Sequence, residues 1–436
     1  MPRPALISMV GLPARGKTYM ATKISRYLNW LGIKTKRKSI FEIFQKNFNF
    51  LFQVFNVGSY RRKMEGTSAD HSFFDDSNAE AKRLRHQACL DALDDVSNYL
   101  MDEEGQVVVF DATNTTKDRR QVITKFCEEN NYDLLFIESI CDNPDIIETN
   151  VKEVKLFGPD YKGKIDPETA LADFMRRIEL YEQRYETIDE KDEGRLSFLK
   201  IFNVGEKYTA NRMHGQLKSR LVYFLMNCHL VPSTIYLTRH GESEFNKAHR
   251  IGGDSLLTPG GKKYSKALAG YMEGLNIADL CVWTSLMNRT RYSAKYFTKA
   301  PVECWKALNE IDVGSLDGMS YEDLKEQYPQ EAEKRNANKF TYRYPQGESY
   351  QDLVARLEPC IMELERRSNI LVICHTAILR CILAYFLDKT PEELPYIEVP
   401  LHTVFKLTTH GYGCDVEMIK LMDTLDNLTE NNSSTD

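Results

Sequence analysis

Residues 11 to 18, GLPARGKT, constrain this chain more than any other stretch. They follow the apolar run ALISMV (5 to 10) and precede an amphipathic stretch that reaches Trp30. The pattern GxxxxGK[ST] between a strand and a helix predicts a loop whose backbone N–H groups converge on phosphate at the positive end of a helix. That unit requires an α/β architecture with parallel strands. Lys17 is expected to bridge the β and γ phosphates of a nucleotide. Thr18 is expected to hold magnesium through its hydroxyl.

Further apolar runs extend the same pattern. QVVVFD (106 to 111) and DLLFIESI (133 to 140) read as buried parallel strands separated by a helical stretch. ADFMRRIELYEQRYETI (172 to 188) reads as a helix, LSFLKIFNVG (196 to 205) as a late strand and QLKSRLVYFLMNCHL (216 to 230) as a closing helix. VPS (231 to 233) is a short joint, and a second α/β series follows: TIYLTRHG (234 to 241), DLCVWTS (279 to 285) and NILVICHT (369 to 376). At 436 residues two domains are expected, 1–233 and 234–424, with a polar tail at 425–436. The two halves share a fold class but no repeated motif.

Composition narrows the function. A net charge of -6 offers no reason to expect nucleic acid as the main partner. The ten cysteines lack CxxC or Cys/His spacing, which points to reduced thiols in the cytoplasm, most of them in the core, and away from a zinc site. The N-terminal apolar run is too short to span a membrane. Anionic substrates must therefore meet local basic clusters. Arg61, Arg62, Arg85, Arg119, Arg120, Lys155, Arg176 and Arg177 are available in the first half, although each taken alone reads as a solvated surface charge.

Ligands collect at the C-terminal ends of strands in open parallel sheets. Asp111 ends one such strand, with a role on magnesium or as base for an acceptor hydroxyl. In the second half, TRHGES sets an arginine and a histidine at a strand end. A neutral imidazole there is a nucleophile for phosphoryl transfer. The chemistry then assigns His240 as nucleophile, Arg239 and Arg289 as clamps on phosphate oxygens, Glu310 as proton donor and His375 as a second phosphate contact.

GLPARGKTY, FNVGSYRR, FDATNTT, DFMRRIELYE, RHGES, WTS, LNEIDVG, YRYPQGESYQDL and VICHTAILR occur in an order that resembles the 6-phosphofructo-2-kinase/fructose-2,6-bisphosphatase family across nearly the whole chain. The resemblance implies a kinase half and a histidine-phosphatase half similar to phosphoglycerate mutases. They would make fructose 2,6-bisphosphate from ATP and fructose 6-phosphate and hydrolyse it through a phosphohistidine, so regulating glycolysis. It implies ATP with Mg2+ on Gly11, Leu12, Pro13, Ala14, Arg15, Gly16, Lys17, Thr18 and Tyr19, and no metal in the phosphatase site. Fructose 6-phosphate would meet Arg61, Arg85, Thr113, Arg119, Lys155, Arg177 and Tyr181. The bisphosphate would meet Arg239, Asn246, Gly252, Tyr321, Arg335, Lys339, Tyr350 and Arg380. A homodimer through the kinase halves is implied as well.

Departures from the family pattern are visible. Residues 37–53 (RKSIFEIFQKNFNFLFQ) read as an insertion, a translated intron or an aromatic patch for a partner or membrane surface. Its phenylalanines fit helix and strand periods alike. Thr376 stands in place of glutamine, Thr238 in place of cysteine and Gly260 in place of a basic residue. The longer regulatory arms of many members are not seen, so control through phosphorylated tails is not expected. Two other functions stay open at this point: a nucleic-acid end-processing kinase and phosphatase, and a nucleotide-responsive interaction protein disabled by the insertion. The first would want a basic groove with stacking aromatics.

Overall fold

The structure is a computed structural model. It describes residues 3–33, 35–36, 55–65, 71–102, 105–152, 166–228, 233–410 and 413–422. The expectations for residues 37–53, for Lys155 and for the tail at 425–436 lie outside the described residues. The chain divides into two compact units, Met1–Asn29 with Ile33–Met226, and Trp30–Gly32 with Asn227–Asp436.

The first unit is built on a seven-stranded sheet comprising β1 (Ala5–Val10), β2 (Thr35–Lys36), β3 (Phe55–Asn56), β4 (Val107–Asp111), β5 (Asp133–Ile140), β6 (Phe198–Phe202) and β7 (Lys207–Asn211). The order is β2-β4-β1-β5-β6-β7, with β3 also on β4. All pairs are parallel except β6 with β7. β1 and β4 are buried at every position, as continuous apolar runs in a two-sided sheet must be. β1 lies between β4 and β5, so the chain leaves it toward opposite sides and a crevice opens beyond Val10. Helix Ala79–Asp102 places Ala88, Cys89, Ala92, Leu93, Val96 and Tyr99 on one buried face, at helical spacing.

One expectation about charge is corrected here. Arg120 is not a solvated surface cation: it is fully buried and makes a fork on Glu193, with Nε at 2.8 Å and Nη2 at 2.7 Å. Its Nη1 donates to the carbonyl of Glu186 at 2.8 Å. In a helix, adjacent residues point about 100° apart, so the Arg119–Arg120 pair splits between two surroundings. Arg61 is likewise buried.

The second unit has a six-stranded sheet: β8 (Ser233–Arg239), β9 (Cys281–Thr284), β10 (Val302–Cys304), β11 (Ile370–Cys374), β12 (Thr403–His410) and β13 (Gly413–Lys420). The order is β10-β9-β11-β8-β12-β13. The first four run parallel, whereas β12 pairs antiparallel with both β8 and β13. Helix Tyr350–Arg366 starts on a capping box, with Asp352 N–H bonded to Ser349 and Ser349 N–H to Asp352. Helix Thr376–Phe386 is buried along most of its length and leaves directly from β11. The parallel strands β8, β9 and β11 therefore end side by side. Eight of the ten cysteines are buried and all are free thiols.

Candidate active sites

In the first unit the loop after β1 has positive φ at Gly11 (132°), Ala14 (59°) and Gly16 (79°). A Cβ on Gly11 would collide with the Ser139 carbonyl oxygen of β5, so only glycine fits. The Gly11 N–H is occupied by the Thr113 carbonyl at 2.8 Å. The Arg15 side chain is an anchor: it donates to the carbonyls of Cys141 at 3.0 Å and Pro13 at 3.1 Å, and pairs with Glu182 at 3.1 Å. Lys17 opens helix Lys17–Trp30, whose first turn carries no acidic residue, so its positive end is not neutralised from within. Lys17 Nζ donates to the Leu12 carbonyl at 2.5 Å, curled over the loop. Tyr19 lies one residue past Thr18 on the helix, with Lys23 5.0 Å from its ring centroid.

Thr18 Oγ1 donates to Asp111 Oδ2 at 2.8 Å, and Asn56 Nδ2 donates to the same oxygen at 2.8 Å. A hydroxyl and a carboxylate side by side at the loop are the hard oxygen donors that suit magnesium. Asn56 was not singled out from sequence; it sits in the FNVGSY segment at the end of β3, aligned with Asp111 across the pair.

Close by, the arginines converge. Arg61 lies 5.6 Å and 5.3 Å from the ring centroids of Phe73 and Phe74, Arg85 5.8 Å from Phe73, and Arg177 3.7 Å from Phe74. Phe74 stands 5.8 Å from Tyr181. Burial raises the Tyr181 phenol, but the charges of Arg177, Arg184 and Arg85, with a hydrogen bond to Thr113, hold it below its ordinary value. Arg119 reaches the Arg85 carbonyl at 3.4 Å, while its buried Nη1 has no hydrogen-bond partner. Five arginines are thus gathered around three aromatic rings. Arg184 and Asp76 escaped the sequence reading. Arg184 stacks at 4.4 Å on Tyr181, and Asp76 pairs with both Arg184 and Arg85. The Tyr181-to-Arg184 spacing of three on a helix end was the available signal.

In the second unit His240 follows β8 and is buried. Its main-chain N–H bonds the Cys374 carbonyl at 3.0 Å, which brings the ends of β8 and β11 together. Its Nδ1 lies 2.7 Å from the Gly241 carbonyl, an acceptor only, so Nδ1 carries the proton. Nε2 is left as the lone pair and accepts from Arg289 Nε at 3.1 Å. Burial, then the charges of Arg289 and Arg239, press the His240 pKa well below its usual range. The imidazole is thereby neutral, as a nucleophile requires.

His375 stands 5.2 Å away, ring centroid to ring centroid. Its Nε2 meets Ser285 Oγ at 2.8 Å, and its buried Nδ1 has no partner. Burial, followed by Arg289 and His240, lowers this pKa strongly as well. Burial pulls the Arg239 guanidinium down to about 10, aided by Arg380 and Arg289 and opposed by Glu310. Arg239 Nη1 donates to the Val399 carbonyl at 3.1 Å, and its buried Nε has no partner. Arg289 Nη1 bonds the Gly253 carbonyl and lies 3.5 Å from Asp254. Glu310 Oε1 accepts the N–H groups of Ile311 at 3.0 Å and Ala377 at 3.2 Å.

The other residues named from sequence have defined partners of their own. Arg380 bonds the Tyr350 hydroxyl at 3.1 Å, Arg335 bonds the Tyr344 hydroxyl at 3.0 Å and lies 5.0 Å from the Tyr321 ring centroid, and Lys339 bonds the Pro395 carbonyl at 3.1 Å. Burial, with Arg380 and Arg335 adding like charge, brings Lys339 down to about 8. Asn246 Oδ1 accepts from Ser243 N–H at 3.1 Å in a capping box. Gly252 is in the left-handed region at φ 74°, packed against Asp317. Thr238 is fully buried and bonds Tyr264 at 2.5 Å and the Thr403 carbonyl at 2.8 Å. Gly260 has ordinary space around it, with Glu242 the nearest charge to an added side chain. Thr376 is the first residue of its helix.

A phosphate loop on one α/β sheet and a buried histidine pair among arginines on another define a kinase joined to a histidine phosphatase. Comparison with known proteins agrees in both halves. Residues 2–232 match the family model of 6-phosphofructo-2-kinase, and residues 235–421 match that of the histidine phosphatase superfamily, branch 1. The chain is 53% identical over 418 residues to the 6-phosphofructo-2-kinase/fructose-2,6-bisphosphatase of Gallus gallus, covering 96% of this chain and 85% of that one. It is 52% identical to the counterpart from Aquarana catesbeiana, with the same coverage. It is also 52% identical to 6-phosphofructo-2-kinase/fructose-2,6-bisphosphatase 1 of Homo sapiens, covering 96% of this chain and 84% of that one. The chain belongs to the 6-phosphofructo-2-kinase/fructose-2,6-bisphosphatase family of bifunctional enzymes. Neither comparison lends support to polynucleotide ends as substrate.

Proposed function

We propose that the first site transfers the γ-phosphoryl of ATP to O2 of fructose 6-phosphate and that the second hydrolyses the product, fructose 2,6-bisphosphate, back to fructose 6-phosphate and phosphate. What carries the reading is the state of His240: protonated on Nδ1, unprotonated on Nε2, where it accepts from Arg289, and held neutral by burial and by the cations around it. In the hydrolytic reaction His240 Nε2 attacks the 2-phosphoryl phosphorus, and the bond from phosphorus to O2 breaks. The leaving O2 takes its proton from Glu310. Water then attacks the phosphohistidine, giving its proton to Glu310, and phosphate departs. Arg239 and Arg289 neutralise the equatorial oxygens, and the neutral His375 contacts one of them as a hydrogen-bond partner. Asn246, Gly252, Tyr321, Arg335, Lys339, Tyr350 and Arg380 hold the rest of the sugar bisphosphate.

In the kinase site Gly11 to Tyr19 cradle the nucleotide and Lys17 moves from the Leu12 carbonyl to the phosphates. Magnesium, when bound, screens charge on the β and γ phosphates; Thr18 and Asp111 are the groups that would hold it. Arg61, Arg85, Thr113, Arg119, Arg177 and Tyr181 receive fructose 6-phosphate, together with Lys155. Homodimerisation through the kinase domains and residence in the cytoplasm complete the reading. Among the described residues no helix is long and apolar enough to cross a membrane.

Purified chain given labelled ATP and fructose 6-phosphate should form fructose 2,6-bisphosphate and then release labelled phosphate. ATP binding without transfer to the sugar would sink the proposal.

The pH dependence of hydrolysis follows from Lys339. Its ammonium is present below about 8 and lost above it, so attraction for the bisphosphate weakens as pH rises through that value. kcat/KM, which reports the free enzyme, should decline on the alkaline side from near pH 8. Lys339→Arg should remove that limb, since a guanidinium stays charged. Persistence of the limb in the arginine variant would assign it to another group.

A further inference from the structure

We infer that Arg356 and Glu348 are positioning residues for Glu310, a pair that fixes the proton donor of the phosphatase by clamping the chain on both sides of it. The inference rests on the reading of Glu310 as that donor. Arg356 lies in helix Tyr350–Arg366 and is only partly exposed. A guanidinium has five N–H groups, and here each is engaged. Nε donates to Glu348 Oε1 at 2.9 Å and Nη2 to Glu348 Oε2 at 3.0 Å, a two-point fork. Nη1 donates to the Ala307 carbonyl at 2.7 Å and the Asn309 carbonyl at 3.1 Å, and Nη2 also reaches the Asn309 carbonyl at 3.0 Å. No donor is left for a ligand, so the side chain acts on the chain before Glu310 and not on substrate.

Glu348 holds the chain after Glu310. Its Oε2 accepts the Asp312 N–H at 3.0 Å, and its own N–H donates to the Asp312 carbonyl at 2.8 Å. Asn309 is held from a third direction, its Oδ1 accepting the Leu286 N–H at 2.9 Å. Glu310 thus sits between two residues whose main-chain groups are tied, in a segment outside the long helices and strands. That matters because proton donation requires heavy-atom separations near 3 Å, and a displacement of about 1 Å can cost on the order of a hundredfold. The Glu310 carboxyl itself is oriented by main-chain donors, Oε1 accepting from Ile311 and Ala377.

A merely structural pair would damage every reaction of the site alike. A pair that positions the acid damages only reactions that need one. Fructose 2,6-bisphosphate expels an alkoxide and needs the proton; p-nitrophenyl phosphate expels a stable phenolate and does not.

In the full chain, Arg356→Lys should lower kcat on fructose 2,6-bisphosphate by roughly a hundredfold while p-nitrophenyl phosphate hydrolysis changes by less than about threefold. Glu348→Gln should give the same contrast at smaller amplitude. Kinase rate and the melting profile serve as folding controls for both variants. Equal losses on the two esters, or no loss on either, would overturn the proposal. Glu310→Gln separates it from the reading beneath it. If that variant shows the contrast and Arg356→Lys does not, the clamp fails alone. If Glu310→Gln shows no contrast, Glu310 is not the acid.

Discussion

His240→Ala should abolish hydrolysis of fructose 2,6-bisphosphate, a loss on the order of 10⁴-fold or more, and leave synthesis intact. The size follows from the geometry. His240 Nε2 is the sole lone pair of its ring, since Nδ1 is committed to the Gly241 carbonyl. Its neighbour His375 is tied through Nε2 to Ser285, and its Nδ1 belongs to a different strand end, so it does not replace the lost nucleophile in line. Two readouts separate this outcome from general damage. Labelled bisphosphate should leave label on the unaltered protein as an acid-labile, base-stable phosphohistidine, and none on the variant. The kinase rate should be preserved, because no residue of the phosphate loop is touched. A variant that still became labelled would move the nucleophile elsewhere. Arg289→Lys offers a graded companion: it retains charge but loses the Nε donor to His240, so it should slow phosphohistidine formation without preventing it.

What is legible in the sequence is whatever acts through local pattern. β1, β4, β5, β8, β9 and β11 were legible because each is a continuous apolar run bounded by polar turn residues, as buried parallel strands are. The antiparallel β12–β13 pair was not: CDVEM in β13 alternates apolar and polar residues, but β13 is largely exposed, so it lacks the continuous apolar run that marks the buried strands. β7 escaped for the same reason, its burial being intermediate or exposed throughout. Helix Ala79–Asp102 carries its signal in apolar residues at helical spacing.

In the sites, His240 and His375 were visible as histidines at strand ends, where topology concentrates ligands. Arg356, Asn56 and Asp76 were not, because each acts on another side chain or on backbone brought near by tertiary folding. Arg120 shows the limit most directly. It stands beside Arg119 in a basic doublet, and nothing local tells which guanidinium turns under the sheet to meet Glu193.

Lys17→Ala should do the reverse of His240→Ala: synthesis of fructose 2,6-bisphosphate falls on the order of 10³-fold and hydrolysis stays within about twofold. In the loop as it stands, Lys17 Nζ rests on the Leu12 carbonyl, a neutral acceptor that the same ammonium can leave when phosphate oxygens arrive. The remaining loop features survive the substitution. Gly11 keeps its approach to β5, Arg15 its anchors, and Thr18 its contact with Asp111, so the cradle persists. The alanine variant should therefore bind nucleotide more weakly yet measurably, with the larger loss in kcat, where charge develops between nucleotide and acceptor. Lys17→Arg tests whether charge alone suffices. Its broad planar head does not fit where a point charge curls over the loop, and it should restore little of the rate. Were Lys17→Ala to depress hydrolysis as strongly as synthesis in a protein that melts normally, the two sites would not be independent. In that case coupling through substrate or structure would have to be sought.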